Sequence, residues 1–193
     1  MMHGYHSAYW ADSVSSLHDS AKKPIFKIAR LHWSKPTVWN KGDNVPTFDT
    51  SEPFLYVLIR NHGKSKTKDH IVYVGLTKSP KTRFGNHETA KKIVGMRGQT
   101  TFSYAPVNFI KGRNSIARME KALEEIEHLL IWSLGFELRN LRKQYTLPGM
   151  GKNGGNAWKI IHTGYRFSGQ MPREIVYPWM LIKVGRDRSR KAI

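Results

Sequence analysis

Apolar residues cluster in a few stretches of this chain, and their spacing predicts the elements. Phe54 to Arg60 is a short apolar run between Pro53 and the turn signal Asn61-His62-Gly63. Ile71 to Leu76 is a second run, rich in β-branched residues and tyrosine. Both read as strands. Side chains alternate across a strand, so Phe54, Tyr56 and Leu58 share one face, as do Ile71, Tyr73 and Gly75. In an antiparallel hairpin Tyr56 and Tyr73 can look the same way, although the ten residues from Asn61 to His70 leave the register open. Thr100 to Val107 alternates again, with Phe102 and Tyr104 on one face, and gives a third strand ending near Pro106.

Two helices are expected around these strands. Ser79-Pro80 is a start signal, a serine cap followed by proline at the first helical position. A helix from there, fading near Val94 to Gly98, puts Arg83 and His87 one turn apart on one face. From Ser115 as cap, apolar residues recur at Ile116, Met119, Leu123, Ile126, Leu130 and Leu134, and Gly135 closes a second helix. At about 100° per residue Glu127 falls in or beside the apolar stripe, while Glu125 points to the opposite side. A purely structural Glu127 would border the stripe and pair with a basic neighbour such as Arg118 or Lys121. Ile175 to Val184 reads as a final strand, interrupted by Pro178 and so expected at an edge.

The order of these residues resembles the GIY-YIG nuclease superfamily. Phe54-Leu55-Tyr56 stands where Gly-Ile-Tyr is usual and Tyr73-Val74-Gly75 where Tyr-Ile-Gly is usual, with Arg83 ten residues after the second tyrosine and His87 four after that. Glu127-His128-Leu129-Leu130-Ile131, followed by Asn140, is similar to the family's glutamate, its leucine-isoleucine pair and its asparagine; Glu124 is the fallback carboxylate. The resemblance implies an α+β core, a small three-stranded antiparallel sheet flanked by helices, over residues 53–145. Residues 1–52 would be an N-terminal arm for packing or dimer contacts, and residues 146–193 a basic C-terminal extension that binds DNA. It also implies an endonuclease with Tyr56 as general base or water-positioning group, Tyr73 on the phosphate or the water, Arg83 on the phosphate, His87 relaying or orienting a proton, and Asn140 fixing backbone or phosphate. Glu127 would hold a divalent cation, Mg2+ or Mn2+, which suits one carboxylate with waters and substrate oxygens. The glycine-rich loop before Trp158 and His162 is similar to a segment following the core in the restriction endonuclease branch, which makes a sequence-specific restriction-type enzyme the first expectation. A homing or repair nuclease, or an inactive DNA-binding module, is the alternative, and an RNA-binding structural protein is a third.

Charge strengthens the polyanion reading. The formal net charge is +18, of which residues 1–53 carry +1, 54–134 +8 and 135–193 +9. Such an excess speaks of partners rather than fold. The basic residues expected to meet double-stranded DNA are Lys78, Lys81, Lys111, Arg113, Lys143, Lys152, Lys159 and Arg166. The tail from Arg186 to Lys191 reads first as a solvated terminus. Trp10, Trp33 and Trp39 suggest that the N-terminal arm packs on something. The chain has no cysteine, which excludes disulfides and cysteine-ligated zinc and agrees with a cytoplasmic location. The nine histidines show no convincing zinc spacing. No stretch reads as a membrane span or a secretory signal, and the glycine-rich loop lacks the spacing of a nucleotide-binding loop.

Overall fold

The computed structural model describes residues 5–6, 14, 16–44, 46–48, 50–63, 68–80, 84–85, 87–109, 116–135, 137–149 and 155–183, with the side chains of 5–6 and 116–118 left aside. The strands are β1 (Tyr5–His6), β2 (Lys27–Trp33), β3 (Thr37–Val38), β4 (Phe54–Asn61), β5 (His70–Thr77), β6 (Gln99–Phe109), β7 (Trp158–Gly164), β8 (Glu174–Tyr177) and β9 (Leu181–Lys183). The helices among the described residues are α1 (Glu88–Val94) and α2 (Ile116–Leu134).

The small three-stranded sheet flanked by helices is overturned. The three expected strands are neighbours in the order β5-β4-β6, but they form one end of a nine-stranded mixed sheet that runs β1-β9-β8-β7-β2-β6-β4-β5, with β3 also on β6. The reason lies in β6, eleven residues long. Its first part pairs with β4, while Val107 to Phe109 pairs antiparallel with β2. β2 then pairs parallel with β7 along its whole length, from Lys27 opposite Trp158 to Trp33 opposite Gly164. Parallel partners distant in sequence leave no local pattern, so the periodicity of either segment alone cannot announce the join.

The final strand is also corrected. Pro178 lies in the turn of a hairpin, β8 to β9, and β8 is interior, with β7 on its other side. A turn tolerates the missing N–H that a ladder position would not. Trp33 and Trp39 of the N-terminal segment are both buried; Trp10, Val184 and the tail lie outside the described residues.

β4 is buried on both faces, from Phe54 to Ile59. Leu55, Val57 and Ile59 join the larger core with Leu123, Ile126, Leu129 and Leu130 of α2. Phe54, Tyr56 and Leu58 join a second, aromatic core with Trp39, Phe84, Phe102 and the buried face of α1. A strand covered on both sides reads as a continuous apolar run. Arg60 at its end ties down α1, donating to the carbonyls of Ile93 and Met96 at 3.3 and 3.2 Å and to Thr100 Oγ1 at 2.6 Å. A cation at these terminal carbonyls also complements the helix dipole. No helix among the described residues is long and apolar enough to cross a membrane.

Candidate active site

The site is built outward from a glycine. In the β4–β5 register Tyr56 lies opposite Gly75, and Leu58 opposite Tyr73. A Cβ on Gly75 would sit 2.5 Å from both Cζ and Oη of Tyr56. The absent side chain is therefore the space through which the Tyr56 ring passes. Phe84 meets that ring edge-on at 4.9 Å between centroids, and Phe102 stacks on it at 5.6 Å. Tyr56 is fully buried, and its hydroxyl ends 2.6 Å from His87 Nε2.

His87 does not sit in the middle of a helix, as the sequence suggests. Phe84 and Gly85 form a turn, and His87 is the N-cap of α1, with its Nδ1 accepting from the backbone N–H of Ala90 at 3.2 Å. Gly85 two residues earlier and the His87 side chain, which caps the N–H three residues on, mark the start of α1 at Glu88. The cap fixes the chemistry of the ring. Since Nδ1 offers its lone pair to Ala90, the neutral ring carries its proton on Nε2 and donates it to Tyr56 Oη. Tyr73 completes the cluster, its ring 6.1 Å from that of Tyr56 and 5.4 Å from that of His87. Arg83 lies outside the described residues.

On the outer side of β5 the remaining candidates meet. Asn140 is buried and clips the free edge of the strand: its Oδ1 accepts from the Val74 N–H at 3.1 Å and its Nδ2 donates to the Val74 carbonyl at 2.7 Å. An amide is the side chain that can do both at once. The Arg139 N–H donates to the Val72 carbonyl at 2.7 Å, so the edge is covered by chain. Between this segment, β5 and α2 opens a cleft of about 230 Å³, lined by Tyr73, Thr89, Glu127, Asn140, Arg139 and Lys143 among others. Tyr73, Glu127 and Asn140 thus share one cavity, with Tyr56 and His87 behind Tyr73.

Among the described side chains Glu127 pairs with Lys143 rather than Lys121, and the Arg118 side chain lies outside those described. Glu127 Oε2 accepts from Lys143 Nζ at 2.5 Å, and the Glu127 side chain keeps 12% of its surface open toward the cleft. Glu124 is exposed and paired with Lys78 at 2.9 Å, and Lys78 also reaches Glu120 at 3.3 Å, which raises the lysine's pKa above its ordinary value through those hydrogen bonds. Glu125 corrects the helical-wheel reading. It is buried and accepts from Asn156 N at 2.8 Å, Asn156 Nδ2 at 2.9 Å and Trp158 Nε1 at 2.6 Å. The segment after the glycine-rich loop folds over that flank of α2, so the helix is packed on more than its apolar stripe.

The other basic candidates divide. Lys143 is held by Glu127, and Lys159 is buried against Glu174 at 3.6 Å, facing protein rather than solvent. Arg166 is exposed. Lys81, Lys111, Arg113 and Lys152 lie outside the described residues. Arg139 and Arg142, not singled out from the sequence, line the cleft. The alternation of basic and apolar residues in Glu137 to Tyr145, just after the helix-ending Gly135, is the signal that could have pointed to them.

For a metal, the donor set is a single carboxylate. Among the described residues no three His, Asp or Glu side chains form a group that would hold an ion. One carboxylate in an open cleft fits a magnesium ion that keeps most of its water and takes other oxygens from substrate. Such an ion would have to displace the Lys143 ammonium, which holds Glu127 Oε2. No protein-family model, no curated protein and no solved structure matches this chain.

Proposed function

We propose that this chain is a divalent-metal-dependent DNA endonuclease of the GIY-YIG type, cutting in a sequence-specific, restriction-like manner. The observation that carries the reading is the convergence of Tyr56, Tyr73 and His87 in one cluster, with Glu127 and Asn140 meeting Tyr73 along one cleft. Residues from β4, β5, the α1 cap, α2 and the segment after it come together there in the order that the resemblance requires.

Burial divides the labour between the tyrosines. Tyr73 lines the cleft, so its hydroxyl is the one to meet a phosphate or the attacking water. Tyr56 lies behind it and acts through His87, as a positioning residue that holds the imidazole in one tautomer and orientation. Asn140 fixes the Val74 peptide, and with it the Tyr73 side chain, against the cleft wall. Arg139 and Arg142 offer planar donors to phosphoryl oxygens as charge develops. Glu127 would hold the cation, which when bound offsets charge on the phosphoryl group and the leaving 3′-oxygen.

A second reading, a DNA-binding module without catalysis, is favoured by the tight Lys143–Glu127 pair, which already neutralises the carboxylate. The experiment is cleavage of a long mixed-sequence duplex with magnesium or manganese, beside Glu127→Ala, Tyr73→Phe and Tyr56→Phe. Discrete fragments from wild type, with losses of roughly 100-fold or more for the first two variants, are expected. A smear would leave a nuclease without its own sequence reader. Binding without cleavage under either metal would sink the enzyme and leave the module.

A further inference from the structure

We propose that Leu141 is a wedge that enters the base stack of duplex DNA beside the cleft, with Arg139 and Arg142 gripping phosphates next to it. This rests on the nuclease reading and deepens it by naming how the same site holds its substrate.

Leu141 is 97% exposed, more than any other large hydrophobic side chain described, and Tyr145 close by is 76% exposed. A lone leucine in water is ordinary. What sets this one apart is how its backbone is held. Asn140 is bonded twice to Val74, the Arg139 N–H to Val72, Lys143 to Glu127, and the buried Gln144 amide donates to the Leu138 carbonyl at 2.7 Å. The segment is pinned before and after Leu141, so the side chain is presented outward and cannot fold back into the core. Holding an apolar group in water gains nothing for folding, and the gain must come from whatever covers it.

The neighbours define what that is. Leu141, Arg139, Arg142 and Lys143 line the same cleft as Tyr73 and Glu127. A protein partner would be met by a broad contiguous apolar patch, whereas here the exposed apolar groups, Leu141 and Tyr145, stand among Arg139, Arg142 and Lys143 on a chain of net charge +18. Apolar wedges flanked by arginine and lysine are how proteins unstack and bend a duplex. Opening a base step next to the cleft would turn a phosphate out of the smooth duplex backbone and toward Tyr73 and Glu127.

The test reads DNA topology, which requires neither cleavage nor a known recognition sequence. Closed-circular plasmid is bound by the protein in EDTA, relaxed by a metal-independent topoisomerase, stripped of protein and resolved on a gel, with binding followed in parallel by gel shift. Wild type should lower the linking number in proportion to protein bound. Leu141→Ala should bind yet leave the linking number unchanged, while Leu141→Met retains the effect. Arg142→Ala should reduce the slope of log K against log salt by about 0.9. If wild type binds without changing the linking number, or Leu141→Ala changes it as wild type does, the wedge is refuted and the nuclease reading stands. If wild type binds no DNA, both fall. A dimer that Leu141→Ala dissociates, with no topological effect, would assign the surface to a second copy of this chain and overturn the wedge.

Discussion

Substituting Gly75→Ala tests the packing on which the site depends. Propensity alone predicts that alanine in a strand is better than glycine by about 0.5–1 kcal/mol. The structure predicts the opposite sign. The added Cβ would lie 2.5 Å from Tyr56 Cζ and Oη, where carbon atoms in contact prefer about 3.5–4.0 Å. The ring must retreat by about 1 Å, toward Phe84 and Phe102, which already touch it. Overpacking of that kind costs about 1–3 kcal/mol. The retreat also breaks the buried hydrogen bond between Tyr56 Oη and His87 Nε2, which costs about 0.5–1.5 kcal/mol more. A total of about 1.5–4.5 kcal/mol follows, or a fall in Tm of roughly 3–18 °C for a chain of this length. Urea unfolding measures it. A double-mutant cycle isolates the cause: in the Tyr56→Leu background the ring is gone, and Gly75→Ala should cost under about 1 kcal/mol. A stabilising Gly75→Ala, or an equal cost in both backgrounds, would refute the account.

Asn140→Ala leaves the Val74 N–H and carbonyl without their partner, and should destabilise by about 2–3 kcal/mol in urea unfolding while abolishing cleavage; an unchanged midpoint would show that the clip is dispensable. His162, stacked on Trp33, accepts from Trp33 Nε1 at 3.0 Å through Nδ1, and burial holds its pKa down at about 3. The unfolded chain takes up this proton near pH 6.5, so stability falls as pH drops from 6.5 toward 3 and is fully present above 6.5; His162→Phe should flatten that slope, by about 2 kcal/mol between pH 7 and 5 in denaturant titrations. On the proposed reading a cation would have to displace Lys143 from Glu127 Oε2, so Lys143→Met should lower the magnesium concentration for half-maximal cleavage, and an unaltered or higher requirement would count against that competition.

Legibility differed between parts of the chain for physical reasons. β4, β5 and β6 were readable because each has a local pattern of apolar and β-branched residues. Tyr56 and Tyr73 could be placed on one face by alternation, but their offset by two residues needed the actual register, with Tyr56 opposite Gly75. His87 was found by its spacing and misjudged in its setting, because a capping histidine and a mid-helix histidine look alike when the intervening Phe84-Gly85 turn is not recognised. Glu127 and Glu125 show the limit of a helical wheel. The wheel knows one buried stripe, whereas Glu125 is buried by donors from Asn156 and Trp158, about thirty residues on. Lys159 looked like one more surface cation in a basic tail until β7 placed it against Glu174.

By itself the sequence determined the local elements around the two tyrosines, the long amphipathic helix with Glu127, the basic excess and the absence of cysteine. These follow from side-chain periodicity and composition, which act within a few residues. Tertiary structure alone decided that the three strands belong to a nine-stranded sheet, that Asn140 clips the edge of β5, and which lysines face protein rather than solvent. Each depends on pairing between segments far apart in the chain, where backbone groups and charges choose partners according to what the whole fold leaves unsatisfied.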